Sequence, residues 1–224
     1  MRTLVRGLGE LTVTAGLVLA LGVAYLVWGT GDYTRRQQAG LSDELERRWQ
    51  ARRPAAATAP RRGGEGGPVE AVPSPALGGA FAVVRFPRFG PSYRYVVVEE
   101  VSPADLRKGP GHYPGTARPG EVGNVVVSGH RTTYGAPFKR LGELVRGDEI
   151  HLLTAAGTHV YRMTGRQVVR PSAVEVTLPV PGRPGRAPRR RLLTLTTCHP
   201  EFSAAYRLVI SAEYAGLRPG EGAR

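Results

Sequence analysis

The sequence holds a single cysteine, Cys198, among its 224 residues. One thiol excludes an intramolecular disulfide framework and any zinc site built on a cysteine cluster. Acids are scarce as well: 18 Asp and Glu stand against 31 Lys and Arg, a formal charge of +13. That balance points to an anionic neighbourhood, whether nucleic acid, lipid headgroups or wall polymers. No recognised nucleic-acid-binding motif accompanies the charge, so no nucleic-acid partner is expected. No internal repeat is visible. The 30 Gly and 19 Pro are too many for a helical bundle and suit a loop-rich β domain with a flexible segment.

Charge is missing altogether from Leu11 to Trp28, LTVTAGLVLALGVAYLVW. At helical rise this run covers about 27 Å, enough to cross a bilayer core. Tyr25, Trp28 and Tyr33 gather at its distal end, where amphipathic rings favour the headgroup region. Arg2 and Arg6 precede it and favour a cytoplasmic N-terminus, although Arg35 and Arg36 lie close beyond the far end. The rival reading is a cleaved signal peptide. The run is long for that role and no small-x-small site follows it directly, so a retained anchor is expected. The expected organisation is a cytoplasmic N-terminus over 1–10, a transmembrane anchor over 11–28, a linker over 29–79 and a folded extracellular domain over 80–224. Within the linker, Leu41, Leu45 and Trp49 repeat every four residues and predict a short amphipathic helix over 41–53. The Ala, Pro, Gly and Arg composition of 54–79 cannot bury a core and predicts a disordered tether.

From about Ala80 the pattern is β-like. Candidate strands are Ala82–Phe86, Tyr95–Val101, Val122–Ser128, Glu149–Thr154, His159–Val169, Leu192–Thr197 and Tyr206–Glu213. Short strands punctuated by Gly and Pro predict a sandwich or a barrel. Ser102 to Leu106 reads as a capped helical turn with Pro103 at its first position, and Phe138 to Leu144 as another short helix. Residues 81–224 carry 21 of the basic residues and 11 acids, so the folded part is the basic part. Its densest cluster is Arg183, Arg186, Arg189, Arg190 and Arg191. Two readings stand for it: a solvated loop before a strand, or a surface for anions.

Cys198 closes the strand-like run Thr194-Leu195-Thr196-Thr197-Cys198. An isolated cysteine is usually a buried small side chain. A thiol becomes a nucleophile when neighbouring cations favour the thiolate. Arg207 is such a cation. Strands ending at Cys198 and starting at Tyr206 form a plausible hairpin, with Cys198 and Arg207 at the same end. Of the five histidines, His151 and His159 fall inside strand-like segments and His112 in a Gly/Pro loop. His199 is the rival for an acid/base role, but the residue next to a nucleophile on an extended chain points to the opposite face. His130 ends the run Val125-Val126-Val127-Ser128-Gly129 and could meet Cys198 and Arg207 at that end of the sheet. Attack on an amide carbonyl develops an oxyanion, and the planar, permanently charged fork of Arg207 suits it better than Lys.

Taken together, TLTTC, the arginine in YRLVIS and the run SGHRTTYGAPF resemble the sortase family over residues 80–214. The run GHRTTYGAPF is most similar to the class E sortases of high-GC Gram-positive bacteria. The resemblance implies a mainly β fold, an eight-stranded closed β-barrel with short helices. It implies a cysteine transpeptidase that cleaves a C-terminal sorting signal, of the Leu-Ala-x-Thr-Gly or Leu-Pro-x-Thr-Gly type, between Thr and Gly and passes the acyl group to a cell-wall precursor amine. The implied partners are sorting-signal-bearing surface proteins, a lipid II-like amine donor and the membrane. Cys198 takes the place of the nucleophile, His130 of the acid/base and Arg207 of the oxyanion or substrate-positioning group. Tyr134, Leu195, Thr196 and Thr197 are candidates for substrate contact, Tyr134 for reading the second position of a Leu-Ala-x-Thr-Gly signal. For the threonines strand packing is the competing role, and for Tyr134 an ordinary place in a loop. Leu178 to Arg191 contains no Asp or Glu, so the calcium used by some family members is not expected, nor any other cofactor. An L,D-transpeptidase is disfavoured because Cys198 does not follow Ser-His-Gly. A cysteine peptidase differs only in the acceptor, water in place of an amine. The non-catalytic alternative is a membrane-tethered module that binds anionic wall polymer through its charge.

Overall fold

The computed structural model describes residues 2–25, 29–58 and 75–219. Helix α1 (Arg2–Ala24) contains an apolar stretch, Val5–Ala24, of 20 residues, long enough to span about 30 Å of hydrocarbon. Its described side chains are exposed nearly throughout. This apolar helix starts earlier than the expected anchor of 11–28, and Leu26, Val27 and Trp28 lie outside the described residues.

Helix α2 (Thr30–Thr58) is much longer than the predicted 41–53. It begins eleven residues earlier and takes in 54–58, assigned from composition to the tether; residues 59–74 of that tether lie outside the described residues. Its Leu41 and Leu45 are buried against Ala80, Val96 and Val98, so it packs on the folded domain.

Eight strands follow: β1 (Ala80–Arg85), β2 (Arg94–Glu99), β3 (Gly111–His112), β4 (Gly123–Ser128), β5 (Glu149–Thr154), β6 (Gly157–Val169), β7 (Arg191–His199) and β8 (Tyr206–Arg218). They close a barrel in the order β1-β2-β3-β4-β7-β8-β6-β5. The β2–β3 and β4–β7 pairs are parallel and the other pairs antiparallel. All seven strands read from the sequence are present; β3, of two residues, is additional. His112 therefore sits on a strand, not in a loop. The capped turn is helix α3 (Pro103–Leu106), whose Ser102 side chain accepts the Asp105 N–H. The second short helix is a single stretch of 3-10 helix over Lys139–Glu143.

The alternation of side chains along each strand divides the molecule into a core and an outer wall. Val125 and Val127 of β4, Leu193 and Leu195 of β7, and Leu208, Ile210 and Ala212 of β8 share one apolar cluster with Phe86, Phe138 and Tyr161. Each aliphatic side chain buried there contributes about 1.5–3 kcal/mol. The residues between them, Asn124, Ser128, Thr194, Thr196 and Val209, lie on the opposite face. Every odd–even choice along β4, β7 and β8 therefore also decides what is available for chemistry outside the barrel.

Candidate active site

Cys198 is the last residue but one of β7, and it stands on the outer wall because Leu193 and Leu195 stand inside. It is half-buried. Register fixes its neighbours. Across the antiparallel β7–β8 pair Cys198 lies directly opposite Arg207, which puts their Cα atoms about 4.5–5.5 Å apart with side chains on one face. Arg207 Nη1 donates to the carbonyl oxygens of Ala204 (2.9 Å) and Tyr206 (3.0 Å), which ties the guanidinium to the β7–β8 loop.

On the other side, Ser128 of β4 pairs with Thr196 of β7. The ladder continues one step, with the Gly129 N–H donating to Thr196 O (3.1 Å). Two residues beyond the Ser128–Thr196 rung stand His130 and Cys198. Neighbouring chains in a sheet lie about 4.8 Å apart, so Cys198, Arg207 and the loop residue His130 stand at the same end of three adjacent chains. Gly129 is required here: a Cβ on it would stand 2.8 Å from the Phe138 ring. That ring fills the core beneath, and the Phe138 N–H donates back to His130 O (3.0 Å), closing the loop that carries the histidine.

The His130 ring is half-buried and lies 5.0 Å, centroid to centroid, from the Tyr134 ring. Burial, and then the nearby charge of Arg107, holds its pKa below the usual 6.5. Neutral imidazole is thus favoured at neutral pH. His199, the rival, is differently employed. Arg131 Nη1 lies 2.7 Å from His199 Nδ1 and 3.3 Å from Cys198 O. A guanidinium can only donate, so that ring nitrogen accepts and carries no proton to give.

Residues 84–215 match the family model described as the sortase domain. The chain belongs to the sortase family. It is 31% identical over 222 residues to sortase SrtE1 of Streptomyces coelicolor, covering 96% of this chain and 58% of that protein. This chain thus spans less than two thirds of that relative's length. Sortase D of Bacillus subtilis is 29% identical over 84% of this chain and 86% of its own. Among solved structures, sortase E from Streptomyces avermitilis is similar with a TM-score of 0.58 and 39% identity, covering 67% of this chain and 100% of that one. The SrtF sortase from Corynebacterium diphtheriae reaches a TM-score of 0.63 at 32% identity, over 67% of this chain and 91% of that one.

In this sortase the four candidates for substrate contact are split by strand parity. Leu195 is fully buried in the barrel core. Thr197 is also buried, its hydroxyl donating to Gly129 O (2.7 Å). Both support the strands from inside rather than lining the wall. Thr196 is on the wall, donating to Ser128 Oγ (3.1 Å), and Tyr134 is half-buried beside His130. The five clustered arginines are exposed and lie at the far end of β7, where Arg190 O accepts from Gly123 N–H and Arg190 pairs with Glu213. They are not drawn to the cysteine. The residues missed from sequence are Arg131, which holds the Cys198 carbonyl, Arg107, which faces His130, and Ser128. Arg131 follows His130 directly, so the same parity argument that set His199 aside would have paired those two on the opposite face.

Proposed function

We propose that this chain is a membrane-anchored cysteine transpeptidase of surface proteins. Its substrate is a C-terminal sorting signal of the Leu-Ala-x-Thr-Gly type, cleaved between Thr and Gly, and its acceptor is a cell-wall precursor amine. The observation that supports the reading is the register itself: Cys198 lies opposite Arg207 on β8, and the β4–β7 ladder ends at Ser128 and Thr196, two residues before His130 and Cys198. An extended peptide can reach that wall without opening the core.

In this reading the Cys198 thiolate attacks the Thr carbonyl, and the C–N bond to Gly breaks after a tetrahedral intermediate. Arg207, already held at the loop, donates to the developing oxyanion. His130, neutral at rest, takes the Cys198 thiol proton as attack begins and passes it to the departing Gly amine. It later takes a proton from the incoming amine and returns it to Cys198 as the thioester breaks and the new amide forms. The apolar helix α1 fits a membrane anchor; the catalytic domain lies on the extracellular side, where wall precursors and secreted substrates meet. Thr196 and Tyr134 contact the signal peptide.

The test is to incubate the full chain in detergent with a Leu-Ala-x-Thr-Gly peptide and a diaminopimelate-type amine and to follow the exchanged product by mass spectrometry. Exchange that disappears in Cys198→Ala supports the reading. Cleavage of the Leu-Pro version alone overturns the signal preference and keeps the enzyme. Absence of cleavage of either peptide by a folded chain overturns the function.

A further inference from the structure

Helix α2 meets the domain along one stripe: Thr30, Thr34, Gln38, Leu41 and Leu45, spaced three or four residues apart and so on one face. The far half of the stripe is apolar and is ordinary packing. The near half is polar, and each of its residues lands on backbone. Gln38 Nε2 donates to Val96 O (3.0 Å) and Lys108 O (2.9 Å), and its Oε1 accepts from the Val96 N–H (2.7 Å). Gly109 makes room for it, since a Cβ there would meet Gln38 Nε2 at 2.2 Å. Thr34 donates to Arg107 O (2.8 Å). Thr30, in the first turn, accepts the Tyr134 N–H (3.3 Å).

The two loops held this way are the ones that flank His130. Tyr134 lies over its ring, and the Arg107 guanidinium carbon sits 5.6 Å from the Tyr134 ring centroid. The Tyr134 loop also needs holding. Tyr134, Gly135 and Ala136 have φ of 52°, 72° and 45°, a left-handed run that costs side-chain-bearing residues conformational energy and persists where neighbours over-determine it. Tyr93 Oη donates to Pro137 O (3.0 Å) from below, and the Thr34 methyl lies 3.4 Å from where a Gly135 Cβ would be. Helix packing alone needs Leu41 and Leu45, not a polar first turn aimed at this loop.

We propose that helix α2 is a positioning element of the active site: its first turn, through Thr30 and Thr34, braces the Tyr134 loop and Arg107 around His130. The segment that follows the apolar helix α1 thereby sets the environment of the acid/base. The groups that face the His130 ring are Arg107 and Tyr134, and the Cys198–Arg207 pair stands at the same end of the neighbouring strands. This rests on the role given to His130 above, but its test does not. The test uses the full chain in detergent with labelled histidine, His130 being assigned by its loss in His130→Gln. The ring is titrated by NMR without substrate in the parent, in Thr30→Val/Thr34→Val and in Gln38→Ala. Loosening the brace exposes His130 and frees Arg107, so its pKa rises towards 6.5 in both variants. The acid limb of kcat/KM moves with it, and kcat/KM falls by up to ~10²-fold. If the double variant does not fold, Thr30→Val alone and Gln38→Ala carry the titration. An unchanged His130 titration in the folded variants overturns the proposal, whether or not the chain proves to be a transpeptidase. A shifted titration in a chain that exchanges no peptide keeps the brace and discards the function.

Discussion

Strands β4 and β7 run side by side from Gly123 to Ser128, and the wall they share ends in two different ways. At the Asn124 end every polar side chain is answered. Asn124 Nδ2 donates to Val176 O (3.2 Å) and Leu178 O (3.1 Å), and its Oδ1 accepts from the Thr194 hydroxyl (2.8 Å). The β6–β7 loop closes over it, and Asn124 and Thr194 are buried. At the Cys198 end, Thr196 bonds to Ser128 and the satisfaction stops there. Among the described residues neither the His130 ring nor the Cys198 thiol has a hydrogen-bond partner, and both are half-buried. The same pair of strands, in the same register and on the same face, thus spends its polar groups on stability at one end and leaves them available for reaction at the other.

The sharpest way to break that comparison is at the open end. Cys198→Ala is expected to lower exchange by on the order of 10⁴-fold or more, with stability within about 0.5 kcal/mol of the parent, read by peptide exchange and thermal melting together. Arg207→Lys keeps the charge and loses the fork. It is expected to lower kcat by roughly 10²–10³-fold, again with an unaltered melt; a small effect would remove Arg207 from oxyanion stabilisation. The closed end should give the reverse pattern. Asn124→Ala leaves two carbonyls and a hydroxyl unanswered, and is expected to cost about 1–3 kcal/mol in denaturant unfolding with kcat/KM changed only a few-fold. A loss of activity as large as that of Arg207→Lys would show that the two ends are not separable.

The smallest effect concerns protons. Burial leads the causes that hold the pKa values of His130, His151 and His159 below 6.5. Unfolded chains therefore take up protons at higher pH than folded ones. Stability from these groups is fully present above about pH 6.5 and is lost as pH falls through the folded-state values. The melting temperature should drop by a few degrees between pH 7.5 and pH 5, and His130→Gln should flatten its share of that slope. A melting temperature that is level or rises towards acid would contradict the sign.

What the sequence made legible follows from periodicity. In Leu192–Thr197 the alternation covers only Leu193 to Thr196, and continuing that parity along the strand puts Cys198 on the wall. Strand β3 was not legible, because Gly111 and His112 are too short to show a period; the strand exists through pairing with β2 and β4. The near half of α2 was missed for a different reason. Thr30, Thr34 and Gln38 keep helical spacing but are polar, and a search for apolar stripes begins only at Leu41. Leu195 and Thr197 adjoin Cys198 in the motif and read as one unit with it in sequence, whereas a strand sends alternate residues to opposite sides.

Gln38 has one more consequence. The β2–β3 ladder reaches only Val98 and Glu99, so the amide and carbonyl of Val96 would stand unpaired without the Gln38 side chain, beside valines that Leu41 and Leu45 otherwise cover. A barrel cut free of its helix, starting at residue 80, is therefore closed in topology but open along a seam. It offers another molecule a short sticky edge, the usual route by which β domains self-associate. The practical unit for handling this domain in solution begins at the helix, near residue 29, rather than at the first strand.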